Sequence, residues 1–542
     1  VNLARLLPSR GDYAELPRSW RRDVVAGITV GVVALPLALA FGISSGVGAA
    51  AGLITAVVAG LVAAVFGGSH VQVSGPTGAM AVVLAPIVAQ YGLGSVALVT
   101  VLAGLLVLAA GVTGLGRAVT FIPWPVIEGF TLGIAAIIFL QQVPAAFGQG
   151  SPAGGRTLSV AWSVVRQADW PSAARTLAVV AAVAVLMVTL PRLHRSIPES
   201  LTAVIVVTVA VVTLDIPVAS IGGLPSHLPA PVLPQVDPGA MRTLVGAALA
   251  IAALAAIESL LSARVAATMA PTGPYDPDRE LVGQGLASVA SGAFGGMPAT
   301  GAIARTAVNV RSGARTRVAA IVHSLVLLGV VYLATGPVSA IPLSALAGVL
   351  MVTSFRMISV STVRKILRST RSDAATFALT ATITVCFDLI EAVQIGVVVA
   401  AFFALRGVAR RSSVTREELP GPRRPGDEQI ALLRLDGAMF FGVAERISNE
   451  ITDTGQPRTS VVIIRLSQLG MLDATGANTL AQIATELETR GITVIIKGVR
   501  PEHMTLLSNV GVFDSLRHEN HLMDSLDEAI DHARTHVTSR TP

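Results

Sequence analysis

Apolar runs of about 20 residues recur along this chain from Val24 to Val408, and no other feature constrains the fold as strongly. A run of that length crosses bilayer hydrocarbon as a helix, because a helix satisfies its own backbone polar groups without water. About fourteen segments are legible: Val24–Ile43, Ala49–Phe66, Gly75–Gln90, Ser95–Leu115, Trp124–Val143, Ala173–Leu190, Leu201–Leu214, Ala240–Ser262, Glu280–Phe294, Thr300–Val310, Arg317–Leu333, Ala345–Met357, Ala374–Phe387 and Val393–Arg406. The expected fold class is therefore a mostly α membrane protein with about fourteen transmembrane segments. From Arg410 onward charges become frequent and no run approaches a membrane span. The expected organisation is an N-terminal segment at 1–23, a transmembrane domain at 24–408, a linker at 409–427 and a soluble domain at 428–542.

The net charge of +6 could suggest nucleic acid, but its distribution gives a better account. With even segment numbering both termini share one side. Loops there carry Arg117, Arg192, Arg195, Arg264, Arg279, Arg311, Arg315, Arg317, Arg356, Arg364, Lys365, Arg368 and Arg371, whereas the opposite loops hold Arg156, Arg166, Arg175 and Arg242. Lys/Arg bias sets orientation, so a multi-pass protein of the cytoplasmic membrane with both termini cytoplasmic is expected, and no nucleic-acid partner. Arg18, Arg21, Arg22 and Asp23 lead into the first run without a signal-peptide cleavage pattern. Cys386 stands alone, so neither an intramolecular disulfide nor a Cys-based metal cluster is expected. His70, His194 and His323 show no metal spacing, and no cofactor is assigned.

Two stretches echo one another: Phe66-Gly-Gly-Ser-His-Val-Gln-Val-Ser-Gly-Pro76-Thr-Gly-Ala-Met and Phe294-Gly-Gly-Met-Pro-Ala-Thr300-Gly-Ala-Ile-Ala-Arg305. Each follows a long apolar helix, breaks regular structure and is expected to start a short helix at a Pro and a Thr. Thr can cap the free amides there. His70–Ser74 alternates and reads as a short strand. The broken motifs open the third and tenth segments, seven apart, so the halves (about 24–214 and 240–408) have opposite orientation. An inverted repeat would bring the two short helices to the bilayer midplane, amino end to amino end, and such ends attract anions.

Arg305 falls in the second turn of the short helix, where a charge at membrane depth marks a site by default. With two helix ends it supplies roughly +2, suited to an anion of one or two charges. The plainer alternative puts Arg305 at the lipid interface beside Arg311 and Arg315. Glu258 is the acidic residue of Ala240–Ser262, with Ser262 on the same helical face. Glu258 either takes up a proton with the anion or shares Na⁺ with Ser262; a purely structural bond to Arg305 or backbone is the third option. Glu128 reads as an interfacial first-turn residue, and Asp388 and Glu391 as solvated turn residues.

Asp23-Val-Val-Ala-Gly-Ile-Thr-Val-Gly-Val-Val-Ala-Leu-Pro36-Leu-Ala-Leu-Ala-Phe41, Phe66-Gly-Gly with Gly75-Pro-Thr77, and Thr300-Gly-Ala-Ile-Ala-Arg305-Thr-Ala-Val-Asn309 with Gly313-Ala-Arg-Thr316 resemble the SulP family of anion transporters. The tail resembles the STAS domain that follows such membrane domains. The resemblance implies a seven-plus-seven inverted repeat in core and gate subdomains, an elevator-like movement and a homodimer. It puts the anion site at Phe41, Pro76, Thr77, Ala304 and Arg305, to which the helix ends add Gly78, Thr300 and Gly301. It puts the coupling acid at Glu258. Leu37 and Phe41 stand where many relatives have Gln and an aromatic hydroxyl, so the first segment cannot define the substrate. Glu258 and Ser262 stand where a Na⁺-coupled bicarbonate transporter has Asp and Thr, and proton coupling is preferred over Na⁺.

In the tail, Ile430–Leu435, Ser460–Leu466 and Ile492–Lys497 read as strands, with helices near Val443–Glu450, Thr475–Thr489, Glu502–Val510 and Asp524–Arg534, a small α/β domain. Thr475 matches a hydroxyl that some STAS domains phosphorylate; helix capping by Asp473 or Thr475 is the plainer reading. The expected activity is secondary transport of sulfate, bicarbonate or a small dicarboxylate. An exchanger or channel remains open, Arg305 argues against a nucleobase permease, and no nucleophile–base pair suggests an enzyme.

Overall fold

A computed structural model describes residues 3–117, 123–149, 157–193, 198–232, 238–270, 272–386, the isolated positions 395, 398, 399 and 402, and residues 412–440, 459–518 and 521–538. The chain divides into two compact units, Val1–Val397 and Val398–Pro542.

The first unit is helical: α1 Leu16–Ser44, α2 Ala49–Phe66, α3 Gly78–Tyr91, α4 Gly94–Thr113, α5 Trp124–Gln141, α6 Val143–Ala146, α7 Thr157–Arg166, α8 Trp170–Leu193, α9 Glu199–Thr213, α10 Pro238–Met269, α11 Pro277–Ala293, α12 Ile303–Arg311, α13 Val318–Leu333, α14 Thr335–Ser339, α15 Leu343–Met357, α16 Val360–Leu367 and α17 Arg371–Cys386. Among the described residues, seven stretches are long and apolar enough to cross a membrane. The expected segments from Val24–Ile43 to Ala374–Phe387 each meet a helix; Val393–Arg406, Asp388, Glu391 and His194 lie outside the described residues. The first helix starts at Leu16 rather than Val24, because its first turns are polar and escape a hydropathy reading. The amphipathic α7 was not expected for the same reason.

Helix contacts repeat when the halves are exchanged. Helix α1 packs on α13 as α10 packs on α4, and α2 on α13 as α11 on α4. Likewise α1 meets α12 as α10 meets α3, and α5 meets α17 as α15 meets α8. Small residues allow these close approaches, since packing rather than hydrophobicity joins helices in lipid. A Cβ on Gly104 of α4 would lie 2.8 Å from the Gly285 carbonyl oxygen of α11.

Arg279 and Arg317, expected as loop charges, are buried. Both Asp12 carboxylate oxygens accept from Arg279, at 2.9 and 2.7 Å, and Arg317 lies 3.6 Å away. Glu280 accepts from the Gly68 and Ser69 amides at 2.8 and 3.0 Å and from Gln284 at 2.9 Å. The segment before α1 is thereby tied to α11 and α13. Buried charges need such partners.

The second unit is a sheet between helices. Strands β4 Ile430–Met439, β5 Val461–Arg465, β7 Thr493–Lys497 and β8 Leu522–Met523 run parallel; β3 Ser413–Glu417 pairs antiparallel with β4, and β6 Leu469–Leu472 also pairs with β4. Side chains alternate across it, as the two-residue period of strands dictates. Leu433, Ile464 and Ile496 pack with Leu480 and Ile483 of helix Ala474–Thr489, whereas Leu432, Ile463 and Ile495 pack with Ile530 and Ala533 of helix Leu526–Thr538. The stretch read as a linker contains β3, whose partner strand is the first of the domain. The expected helix Val443–Glu450 lies outside the described residues.

Candidate functional site

Helix α2 ends at Phe66 with Gly67 as its cap, and α11 ends at Ala293 with Phe294 as its cap. The two Phe-Gly-Gly turns then feed β1, Ser74–Gly75, and β2, Thr300–Gly301. These pair antiparallel, Ser74 with Gly301 and Gly75 with Thr300. The strand expected over His70–Ser74 is thus only two residues long, in a stretch that otherwise lacks regular structure.

Side chains satisfy the broken backbone, as non-helical chain inside a membrane requires. The Val73 amide donates to Thr306 Oγ1 at 3.0 Å, Asn309 Nδ2 donates to the Val71 carbonyl at 2.8 Å, and the Gly301 amide donates to Ser259 Oγ at 3.1 Å. Gln72 Nε2 reaches the Ser259 carbonyl at 3.3 Å. Ser259, Thr306 and Asn309 were not singled out beforehand, although Thr306 and Asn309 fall within the Arg-Thr-Ala-Val-Asn motif.

Helix α3 begins at Gly78 just after β1 and α12 at Ile303 just after β2, so both amino ends lie beside the antiparallel bridge. Thr77 caps α3, its hydroxyl accepting from the Met80 amide at 3.5 Å. Thr300 does not cap α12: it lies in β2, and the cap is Ala302, with no side-chain hydrogen bond. The bridge with Gly75 holds Thr300 extended and moves the helix start to Ile303. The first-turn amides of α12 therefore have no side-chain cap, and Ile303 and Ala304 are exposed.

Arg305 is 3% exposed, unlike the exposed Arg311, and reaches back across the bridge. Its Nη2 donates to the Pro76 carbonyl at 2.6 Å. Its Nη1 is buried with no hydrogen-bond partner among the described residues. An unpaired guanidinium nitrogen inside a protein is costly and calls for an acceptor. The lipid-interface reading of Arg305 does not fit this position.

Glu258, half-buried on α10, faces the same bridge. Its Oε2 accepts from Thr300 Oγ1 at 2.7 Å and Thr77 Oγ1 at 2.9 Å, and the two hydroxyls are 3.1 Å apart. Its described partners are hydroxyls, neither Arg305 nor backbone. Ser262 is buried beside Gly301, its Oγ lying 3.4 Å from Thr306 Oγ1. Phe41 and Ile138 of α5 close over the start of α3: a Cβ on Gly78 would overlap Ile138 and lie 3.2 Å from the Phe41 ring. The structure thus gathers Pro76, Thr77, Thr300, Gly301, Glu258 and Arg305 around one bridge, with Phe41 and Gly78 beside it and Ala304 at the open end of α12. In the second unit, Asp473 caps helix Ala474–Thr489 by accepting from the Gly476 amide at 2.8 Å, which leaves the exposed Thr475 outside the cap.

The sequence profile of the Sulfate permease family matches residues 20–380, and that of the STAS domain matches 422–529. The chain is 34% identical to the putative sulfate transporter YvdB of Bacillus subtilis, over 94% of this chain and 97% of that one. It is 32% identical to the bicarbonate transporter BicA of Synechocystis, over 95% and 94%. Its fold is similar to the solved structure of SLC26A9, at TM-score 0.84 and 18% identity, covering 97% of this chain and 92% of that one. The transmembrane domain of a cyanobacterial BicA aligns at TM-score 0.63 and 31% identity, covering 71% of this chain and 98% of that one. The chain belongs to the sulfate permease family of transmembrane anion transporters and carries a C-terminal STAS domain.

Proposed function

We propose that the protein is a secondary active transporter that holds a small anion between the amino ends of α3 and α12, beside Arg305. The observation that carries this is the Arg305 guanidinium, with Nη2 on the Pro76 carbonyl and Nη1 buried without a partner among the described residues. Uncapped amides at the start of α12 add dipolar attraction for negative charge. The relatives' names, sulfate transporter and bicarbonate transporter, support those two anions first, with a small dicarboxylate as a third candidate. Movement of the core helices as a body past the gate helices, in a homodimer with cytoplasmic termini, completes the reading.

Glu258 is the proposed coupling group. Its carboxylate accepts from the hydroxyl that caps α3 and from the strand that leads into α12, so its charge state bears on both halves of the anion site. Protonation would offset the anion's charge during the crossing. One observation favours a second reading: Glu258 Oε2, Thr77 Oγ1 and Thr300 Oγ1 lie within 3.1 Å of one another, an oxygen cluster suited to Na⁺. In that case the oxygens come from Thr77 and Thr300 rather than from Ser262.

Uptake of labelled sulfate, bicarbonate and a dicarboxylate into proteoliposomes, under imposed pH or Na⁺ gradients, tests this. Accumulation driven by a pH gradient alone is the expected result; accumulation driven only by Na⁺ selects the second reading. Current without coupled accumulation identifies a channel, and uptake of uncharged nucleobases instead of anions overturns the proposal.

A further inference from the structure

We propose that His521, His532 and His536 of the C-terminal unit form a binding site for a divalent transition-metal ion, with Zn²⁺ the best fit. The three side chains bring one ligand nitrogen each to within 4.8 Å of the others. His536 Nε2 lies 3.3 Å from His521 Nε2 and 3.2 Å from His532 Nε2. Tetrahedral zinc bound by imidazole at about 2.0–2.1 Å separates its ligand nitrogens by about 3.3 Å, so these two edges already have the right length.

Local structure explains the convergence. His532 and His536 are four residues apart on helix Leu526–Thr538, hence on one face of it. Ile530, Ala533 and Val537 of that helix pack on the sheet. This brings the two imidazoles alongside His521, which immediately precedes β8 and is fully buried. His532 and His536 are half-buried, which leaves a route for an ion.

Hydrogen bonding alone accounts poorly for the contact. An imidazole nitrogen either carries one hydrogen or offers one lone pair. His536 Nε2 faces two further Nε2 atoms, so it cannot make a good linear bond with both. A cation accepting three lone pairs satisfies all of them at once. Neutral imidazole nitrogen suits zinc, copper and nickel, whereas Mg²⁺ and Ca²⁺ prefer oxygen. Three protein ligands leave a fourth position for water or an outside donor.

The test uses the full chain in detergent, purified on a tag free of histidine, and titrated with Zn²⁺ by calorimetry. One Zn²⁺ per chain is expected, with affinity at least about tenfold weaker in His532→Gln and His536→Gln and unchanged with Mg²⁺ in excess. Co²⁺ should give the intense visible bands of a tetrahedral ion in the wild type, diminished in either variant. Both variants alter half-buried positions; a normal melting profile for each confirms that the fold is retained. Absence of stoichiometric Zn²⁺ binding in the wild type, or equal binding by folded variants, would overturn the site.

Discussion

Arg305 Nη2 donates to the Pro76 carbonyl at 2.6 Å, although the two residues lie 229 positions apart in opposite halves of the repeat. The contact spans the two-residue bridge between β1 and β2, and it links the first turn of α12 to the residue before the cap of α3. Several properties of the site turn on this one arrangement.

Gly75 leaves room for it. Its φ of 151° lies in a region that residues with a side chain rarely adopt, and a Cβ there would lie 2.7 Å from Arg305 Nη1. Gly75→Ala should displace the guanidinium and lower anion affinity by at least about tenfold, or about 1.4 kcal/mol. Equilibrium binding of labelled anion to the purified variant checks this.

Glu258→Gln keeps the shape of the side chain but removes its charge. Uptake by this variant should lose its response to an imposed pH gradient while anion exchange at equal pH persists. Unchanged dependence on both pH and Na⁺ would remove Glu258 from coupling.

Thr77 has two tasks, capping α3 and donating to Glu258. Thr77→Val should cost about 0.5–2 kcal/mol through the lost cap and also shift the pH dependence of uptake. Thr300→Val removes a Glu258 partner without removing a helix cap, so it should shift the pH profile with a smaller loss of thermal stability. Comparing melting temperatures and uptake profiles of the two variants separates the tasks.

Asp12 anchors the N-terminal segment. Burial pushes its carboxyl up, but the Arg279 guanidinium, the Ser9 amide and the Arg317 charge outweigh this and bring its pKa to about 2, against an ordinary 3.8. A depressed folded pKa means that the stabilisation is complete above about pH 4 and is lost as pH falls through about 2. Asp12→Asn should cost roughly 3–5 kcal/mol at pH 7, because it leaves two buried arginines without their acid. Pairing it with Arg279→Met should recover part of that loss in thermal melts.

Much of this architecture was legible because hydropathy and helix-ending signals are local. Ala49–Phe66 was bounded as found, and the paired Phe-Gly-Gly turns located both interruptions. What escaped depends on contacts between distant residues. Thr300 reads as a cap in sequence, yet pairing with Gly75 keeps it in a strand. Arg279 and Arg317 read as loop charges until Asp12, more than 260 positions upstream, is folded against them. Ser262 shares a helical face with Glu258, yet Thr306 holds it. In the tail, His532 and His536 carry no signal in the sequence reading, because His521 comes from another element and adjoins them only in the fold.

The most direct test compares Arg305→Ala with Arg311→Ala, a buried arginine at the bridge against an exposed one at the end of the same helix. Each protein is titrated with labelled sulfate and bicarbonate, and binding is read at equilibrium. Loss of at least about a hundredfold in affinity, or about 2.8 kcal/mol, is predicted for Arg305→Ala and near wild-type affinity for Arg311→Ala. Wild-type affinity in a folded Arg305→Ala protein would contradict an anion held at this bridge.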